Sequence, residues 1–335
     1  MSKSKRAARQ PQGPAPREKK NPFLNTEGAL RTGWLLTVSL LCCAAVALGA
    51  RLALAAGCSA LFRAWNVNAE NAWRAPGWAR LFYAWQGSAV SAAVSALLLA
   101  ACLPLRRLWR MKALKNAAPF DKRLWDRSGS GWKGLLWPGC AGLMTAVAVG
   151  LLCLIPDSSR LSWPIARPNL TPGLPALAAV SLLGVLAEEC FTKGVLYDGL
   201  CPRWGRAWAT AWACAAFFAL GGGLGGSAVS AINVALLGLV GCALYERFGL
   251  WAAAGFRWFW GNGCAFLLGF GGSDAAVYRL YQVSETLLTG GDSGPMYGLW
   301  ATALLLLWLA LLNGRWLKDR ARRAMNTGMA RRPNA

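Results

Sequence analysis

From Ala207 to Tyr245 the chain reads AWATAWACAAFFALGGGLGGSAVSAINVALLGLVGCALY. These residues include no Asp, Glu, Lys or Arg, and the glycine-rich segment Gly221–Gly226 divides them into two apolar halves. A helix of about 20 apolar residues crosses the hydrocarbon core of a bilayer, which is roughly 30 Å thick. The stretch therefore predicts two transmembrane helices joined by a glycine-rich turn.

Similar runs recur along the chain, and they predict an all-α, polytopic membrane protein with eight transmembrane helices. Hydrophobic residues make up 56% of the 335 residues and charged residues only 15%, against about 25% charged residues in soluble domains. Phe248–Gly272 is apolar except for Arg257, and we expect the first span to pass Arg51, with that side chain reaching to the interface. The other charge-free runs are Trp34–Ala50, Leu81–Leu105, Gly134–Pro156, Pro168–Ala187 and Ser293–Gly314.

The distribution of positive charge predicts the orientation of the chain. If the loops between spans alternate between the two faces, most of the 36 Lys and Arg residues fall on the face that holds both termini. The positive-inside rule places that face in the cytoplasm, and we expect a bacterial plasma membrane. The predicted parts are a basic cytoplasmic arm (1–32), helices 1–3 with a basic loop at 106–133 (33–166), a core of helices 4–8 (167–313) and a basic cytoplasmic tail (314–335).

The excess of basic residues indicates membrane lipids as partners of the arm and the tail. Lys and Arg exceed Asp and Glu by 36 to 14, and basic segments next to a membrane bind anionic head groups. Because basic juxtamembrane ends are common, we expect no nucleic-acid partner.

Four ionisable residues occur inside the apolar runs, where charge is costly and usually functional. Glu188, Glu189 and Lys193 lie near the cytoplasmic end of the fourth predicted span, and Arg257 lies in the seventh. At helical rise, Glu188 and Arg257 both lie roughly 15 Å from the cytoplasmic ends of their helices. Since the four charges sum to zero, we predict that Glu189 pairs with Lys193 and that Glu188 contacts Arg257.

Histidine is absent from the whole chain. This absence excludes Ser-His-Asp and Cys-His catalysis and every metal site built on imidazole. The absence of histidine also affects how the motifs around the four charged residues are interpreted.

Those motifs resemble the CAAX prenyl protease and bacteriocin-processing (CPBP) family of intramembrane endopeptidases. Its first motif, E-E-x-x-x-R, is similar to EECFTKGVL beginning at Glu188, with Lys193 in place of arginine. Its second motif resembles AFFALGG at 216–222, where Gly222 stands at the position of a histidine. Its third resembles the segment after YERFGLWA at 245–252. There Arg257 stands at the other histidine position, and Gly261 or Asn262 at the final polar position.

The resemblance implies a CPBP-like helical bundle with the family role of intramembrane endopeptidase, acting on prenylated or leader-bearing peptides. In that family the glutamates and histidines are thought to bind a metal or to activate a water. Because both histidine positions are lost here, we predict no metal and no other cofactor. A cation at position 257 repels a metal and neutralises the glutamates, so the resemblance implies a degenerate site that binds lipidated or membrane-inserted peptides.

Two other functions remain open. The protein is an active intramembrane endopeptidase if Glu188 or Glu189 serves as the base, Arg257 stabilises the oxyanion and Lys193 orients the carboxylates. Alternatively, it is a transporter in which the buried Glu/Lys/Arg cluster relays protons or binds an anion.

Overall fold

The computed structural model describes the chain from residue 31 to residue 330, with gaps. The described residues are 31–68, 70–110, 122–127, 131–155, 159–161, 168–221, 226–270, 276–278, 280–282, 287–290 and 294–330. The predicted arm (1–32) therefore lies almost wholly outside the described residues, and so does half of the predicted loop (106–133).

Helices make up nearly all of the described structure, as the apolar runs predict. Several of them continue into one another through short π-helical segments, so that one membrane-crossing rod includes more than one element. The α-helices are α1 (Thr32–Ala44), α2 (Arg51–Ala64), α3 (Gly77–Arg110), α4 (Lys122–Trp125), α5 (Lys133–Leu154), α6 (Leu174–Glu189), α7 (Asp198–Trp204), α8 (Arg206–Leu220), α9 (Ala228–Phe248), α10 (Leu250–Asn262) and α11 (Leu299–Ala330). The π-helical segments are Ala45–Ala50, Cys190–Tyr197 and Gly263–Leu267, and 3-10 turns span Ala72–Arg74 and Pro295–Tyr297.

Five helical rods among the described residues are long and apolar enough to cross a membrane. They are Thr32–Ala64, Gly77–Trp109, Lys133–Leu154, Leu174–Trp204 and Ala228–Phe248. The other three predicted spans correspond to shorter helices: α8, α10 with the π-helical segment after it, and the apolar part of α11 at Leu299–Gly314. The structure thus supports an integral membrane protein, whereas the count of eight full-length spans is not confirmed.

Two details differ from the predicted architecture. Two three-residue strands, β1 (Ser159–Leu161) and β2 (Leu280–Gln282), pair antiparallel in the connections after α5 and before α11. In addition, α11 continues to Ala330, well past the predicted start of the tail at residue 314. The apolar runs could not reveal either feature, because both lie outside the hydrocarbon-length segments.

The closest packing in the bundle is between α5 and α10, and glycines make it possible. A side chain at Gly142 would overlap the backbone of Phe256, and one at Gly255 would overlap the backbone of Leu135. Small residues at such crossings allow helix backbones to approach closely in a membrane. Helix α10, which includes Arg257, is therefore held at a fixed position against α5.

Candidate active site

The two adjacent glutamates end helix α6 and face different surroundings. Successive residues on a helix point about 100° apart, so the two carboxylates cannot share one direction. The side chain of Glu189 is 1% exposed and lies in the bundle interior, whereas that of Glu188 is 24% exposed. Glu188 lines a cleft, and Glu189 belongs to the core.

Arg257 of α10 reaches both carboxylates. Its Nη2 forms an ion pair with Oε2 of Glu188, and its Nη1 lies 3.6 Å from Oε1 of Glu189. Glu188 and Arg257 were predicted to meet because they lie at a similar depth on two helices, and the structure shows this contact. A guanidinium can bind two carboxylates because its five donors are arranged in a rigid fork.

Lys193 occupies the other side of Glu189. Its Nζ lies 2.8 Å from Oε2 of Glu189, and both side chains are 1% exposed. Gly241 of α9 leaves room for the lysine, since a Cβ there would stand 3.1 Å from Nζ. The two cations, Lys193 and Arg257, lie on the ring of Phe217, each 4.5 Å from its centroid. Cation–π attraction adds to the ion pairing that holds both charges.

The four residues form a neutral charge cluster, which we name the Glu-Lys-Arg cluster. Two carboxylates face two cations, so the cluster carries no net charge. Burying an unpaired ion costs several kcal/mol, and pairing with an opposite charge offsets part of that cost. The cluster therefore needs no added ion to balance its charge.

Asn262, another predicted site residue, binds groups outside this cluster. Asn262 accepts a hydrogen bond from the Ser181 hydroxyl at 3.0 Å and donates to the carbonyl of Trp258 at 2.8 Å. The indole of Trp258 donates to the carbonyl of Ala178 at 2.9 Å. These bonds join α10 to α6, so Asn262 orients the helix that carries Arg257. Gly222 lies outside the described residues.

A second arginine, which the sequence analysis assigned to a basic loop, supports the cluster from α3. Arg106 is buried and donates to the carbonyl of Gly194, in the π-helical segment that carries Lys193. It also pairs with Asp198 at 3.2 Å, and Arg127 pairs with the same carboxylate at 3.1 Å. Burial disfavours the charge on Arg127, but Tyr245 and Asp198 outweigh that effect and raise the pKa of Arg127. Arg106 therefore joins α3 to the π-helical segment that includes Lys193.

A cleft of about 420 Å³ adjoins the cluster, and Glu188 is one of its lining residues. It lies between α2, α3 and α6, and its volume falls in the range of small-ligand sites. The cleft was not predicted from the sequence, although Ser88, Ser91 and Ser95 place polar groups at helical spacing within an apolar run. Its lining residues are Ala47, Arg51, Gly87, Ser88, Ser91, Val94, Ser95, Leu98, Leu177, Val180, Ser181, Gly184, Ala187, Glu188 and Leu220.

The residues of the cluster do not fit a metal. Zinc requires about four ligands of the His, Cys or carboxylate type, and no group of three such residues occurs in the part of the chain that the structure describes. In addition, cations already contact both carboxylates.

Comparison with known proteins supports the family resemblance. Residues 170–262 match the protein-family model described as type II CAAX prenyl endopeptidase, Rce1-like. No curated protein and no solved structure matches the chain. The matched segment includes all six predicted site residues, from Glu188 to Asn262. Residues 170–262 of this integral membrane protein are therefore similar to the type II CAAX prenyl endopeptidase, Rce1-like family.

Proposed function

We propose that this membrane protein keeps the peptide-binding role of its family segment and has lost peptide hydrolysis. The observation that carries the proposal is the contact of Arg257 with both glutamates, together with the contact of Lys193 with Glu189. Hydrolysis needs a carboxylate or a metal that is free to activate water. Here a cation contacts each of the two carboxylates, so neither is free in this sense.

The cleft supports the binding half of the proposal. It is lined mainly by apolar and small side chains with a few converging polar groups, which is typical of ligand sites. Glu188 lines the cleft, and its carboxylate is the more exposed of the two. A peptide segment in this cleft therefore contacts Glu188 without displacing the buried pair of Glu189 and Lys193.

The exposure of the Glu188 carboxylate also favours one competing function, an active endopeptidase. Glu188 could accept a proton from a water in the cleft, and Arg257 could stabilise the oxyanion. The two functions differ in a measurable way, because only the second requires the glutamates for turnover.

The test is a cleavage assay with prenylated and leader-bearing peptides on protein reconstituted in lipid nanodiscs. We expect the parent protein and the Glu188→Gln/Glu189→Gln variant to show the same background rate. We expect Gly222→His/Arg257→His, which restores both imidazoles, to gain turnover over the matched control Arg257→Gln. A parent rate that depends on the glutamates would establish the active endopeptidase instead.

Other aspects of the function stay predictions. The positive-inside pattern supports cytoplasmic termini, and the basic arm and tail support binding to anionic lipids. A bacterial plasma membrane and a transport role for the cluster likewise stay predictions.

A further inference from the structure

Two cysteines from neighbouring helices face each other beside the Glu-Lys-Arg cluster. The sulfur of Cys214 on α8 lies 4.0 Å from the sulfur of Cys242 on α9, and both are free thiols. A glycine one turn before Cys242 keeps the two helices close, since a Cβ at Gly238 would lie 3.5 Å from the Cys214 sulfur. The two sulfurs of a disulfide are bonded to each other, so these sulfurs form one by moving about 2 Å closer.

The two thiols differ in their access to the lipid. Cys214 is partly exposed, and it lies beside an exposed stripe of α8 that includes Trp208, Ala211 and Ala215. Because this stripe belongs to an apolar run without charged residues, we expect it to contact the hydrocarbon of the membrane. Cys242 is only 3% exposed. An oxidant dissolved in the lipid therefore reaches Cys214 first.

We propose that Cys214 and Cys242 form a reversible redox site that reduces lipid hydroperoxides and becomes a disulfide. The Cys214 sulfur attacks the terminal peroxide oxygen, the O–O bond breaks, and the thiol proton passes to the leaving oxygen. The products are a lipid alcohol and a sulfenic acid on Cys214. The Cys242 sulfur then attacks the sulfenic sulfur, and its proton leaves with the hydroxyl group as water. The two thiols thus lose two electrons and two protons, and one hydroperoxide becomes one alcohol and one water.

The disulfide joins α8 to α9 at the level of the cluster. Phe217, whose ring centroid lies 4.5 Å from Nζ of Lys193, follows Cys214 by three residues on α8. Gly241, where a Cβ would stand 3.1 Å from the same Nζ, directly precedes Cys242 on α9. Oxidation therefore links the two helices that enclose Lys193, whether or not the protein binds peptides.

The experiment treats purified protein in nanodiscs of a saturated phosphatidylcholine with cumene hydroperoxide, which dissolves in lipid. Trypsin cleaves after Lys and Arg, so Cys214 and Cys242 fall in one peptide, 207–247, which includes no other cysteine. We expect this peptide to lose the mass of two hydrogens and to escape alkylation by N-ethylmaleimide, and we expect dithiothreitol to restore both thiols. A peptide that is still alkylated after the treatment, or that only gains oxygen, would overturn the proposal.

Single variants test the order of the two steps. In Cys242→Ala the sulfenic acid has no thiol partner, so dimedone, which labels sulfenic acids, should label Cys214. In Cys214→Ala we expect Cys242 to stay reduced, because it is buried. The matched control is Cys140→Ala, which removes an exposed cysteine of α5 and should leave disulfide formation unchanged. Equal labelling of the remaining cysteine in Cys242→Ala and Cys214→Ala would contradict the assigned order.

A second oxidant distinguishes a hydroperoxide in the lipid from one in water. The rates of thiol loss with cumene hydroperoxide and with hydrogen peroxide are each divided by the rate for glutathione in solution. We expect the larger ratio for cumene hydroperoxide, because the exposed side of Cys214 lies next to the lipid-facing stripe of α8. Equal ratios would overturn the assignment of lipid hydroperoxides as the substrate.

The oxidised protein should also resist unfolding better than the reduced protein. The disulfide joins residues 28 positions apart, and such a crosslink restricts the unfolded chain. We therefore expect the midpoint of unfolding by sodium dodecyl sulfate to shift to a higher detergent fraction on oxidation. A lower midpoint would show that the disulfide distorts the packing of α8 against α9, and the fold would then not accommodate the proposed site.

Discussion

Replacement of Arg257 by glutamine tests whether the Glu-Lys-Arg cluster is held together by charge. The change leaves Glu188 without its cation and deprives Glu189 of a second contact at 3.6 Å. Removing one partner of a buried ion pair costs about 3–5 kcal/mol. Glu189 keeps Lys193 at 2.8 Å, and Glu188 is 24% exposed to the cleft. We therefore expect a loss near the lower limit, about 3 kcal/mol in the free energy of unfolding.

The assay is equilibrium unfolding in mixed micelles of dodecylmaltoside and sodium dodecyl sulfate, followed by far-UV circular dichroism. A double-mutant cycle with Glu188→Gln isolates the pair from the other effects of each substitution. Because Glu188→Gln removes the charge that Arg257→Gln leaves unpaired, the double variant should be more stable than the sum of the two losses by about 1–3 kcal/mol. Additive losses would show that the two side chains do not interact energetically, and the ion-pair account of the cluster would fail.

Two further predictions concern the frame around the cluster, and the same unfolding assay measures both. Gly255→Leu should destabilise the protein by about 1–3 kcal/mol, because its side chain would meet the backbone of Leu135. The control is Gly261→Leu on the same helix, which should cost little because no atom lies within 4 Å of a Cβ there. Equal losses of stability in the two variants would contradict the close α5–α10 crossing. Arg106→Gln should cost about 2–3 kcal/mol, because a buried carbonyl of the π-helical segment loses its charged donor. The exposed neighbour in Arg107→Gln is the matched control, and a comparable loss there would show that Arg106 has no special structural role.

The members of the charge cluster were easier to predict from the sequence than the number of full-length spans. Glu188, Glu189, Lys193 and Arg257 stood out because charge is rare in apolar runs, and equal depth on two helices predicted which of them meet. The count of eight spans assumed that every apolar run is a full-length helix. Instead, α8 and α10 are only 15 and 13 residues long, and hydropathy does not reveal where a helix ends within an apolar run.

Other features could not be predicted because they depend on which helix faces pack together. Arg106 follows an apolar run directly and was assigned to a loop, yet helix α3 continues past it and the side chain turns into the bundle. Arg51 is predicted to reach the interface, as a long side chain does on an isolated helix. Only the packing of α2, α3 and α6 shows that Arg51 also lines a cleft.

The amino-acid sequence by itself determined that the protein lies in a membrane, and it identified the charged residues that form the cluster. Apolar length and the scarcity of charge are properties of single segments, so they need no knowledge of neighbouring helices. Only the tertiary structure showed that Arg257 reaches Glu189 as well as Glu188, and that a cleft lined by Glu188 opens beside the cluster. The physical reason is that the attraction between two charges in a low-dielectric interior grows as the distance between them falls, and helix packing brings the charged groups together from distant parts of the chain.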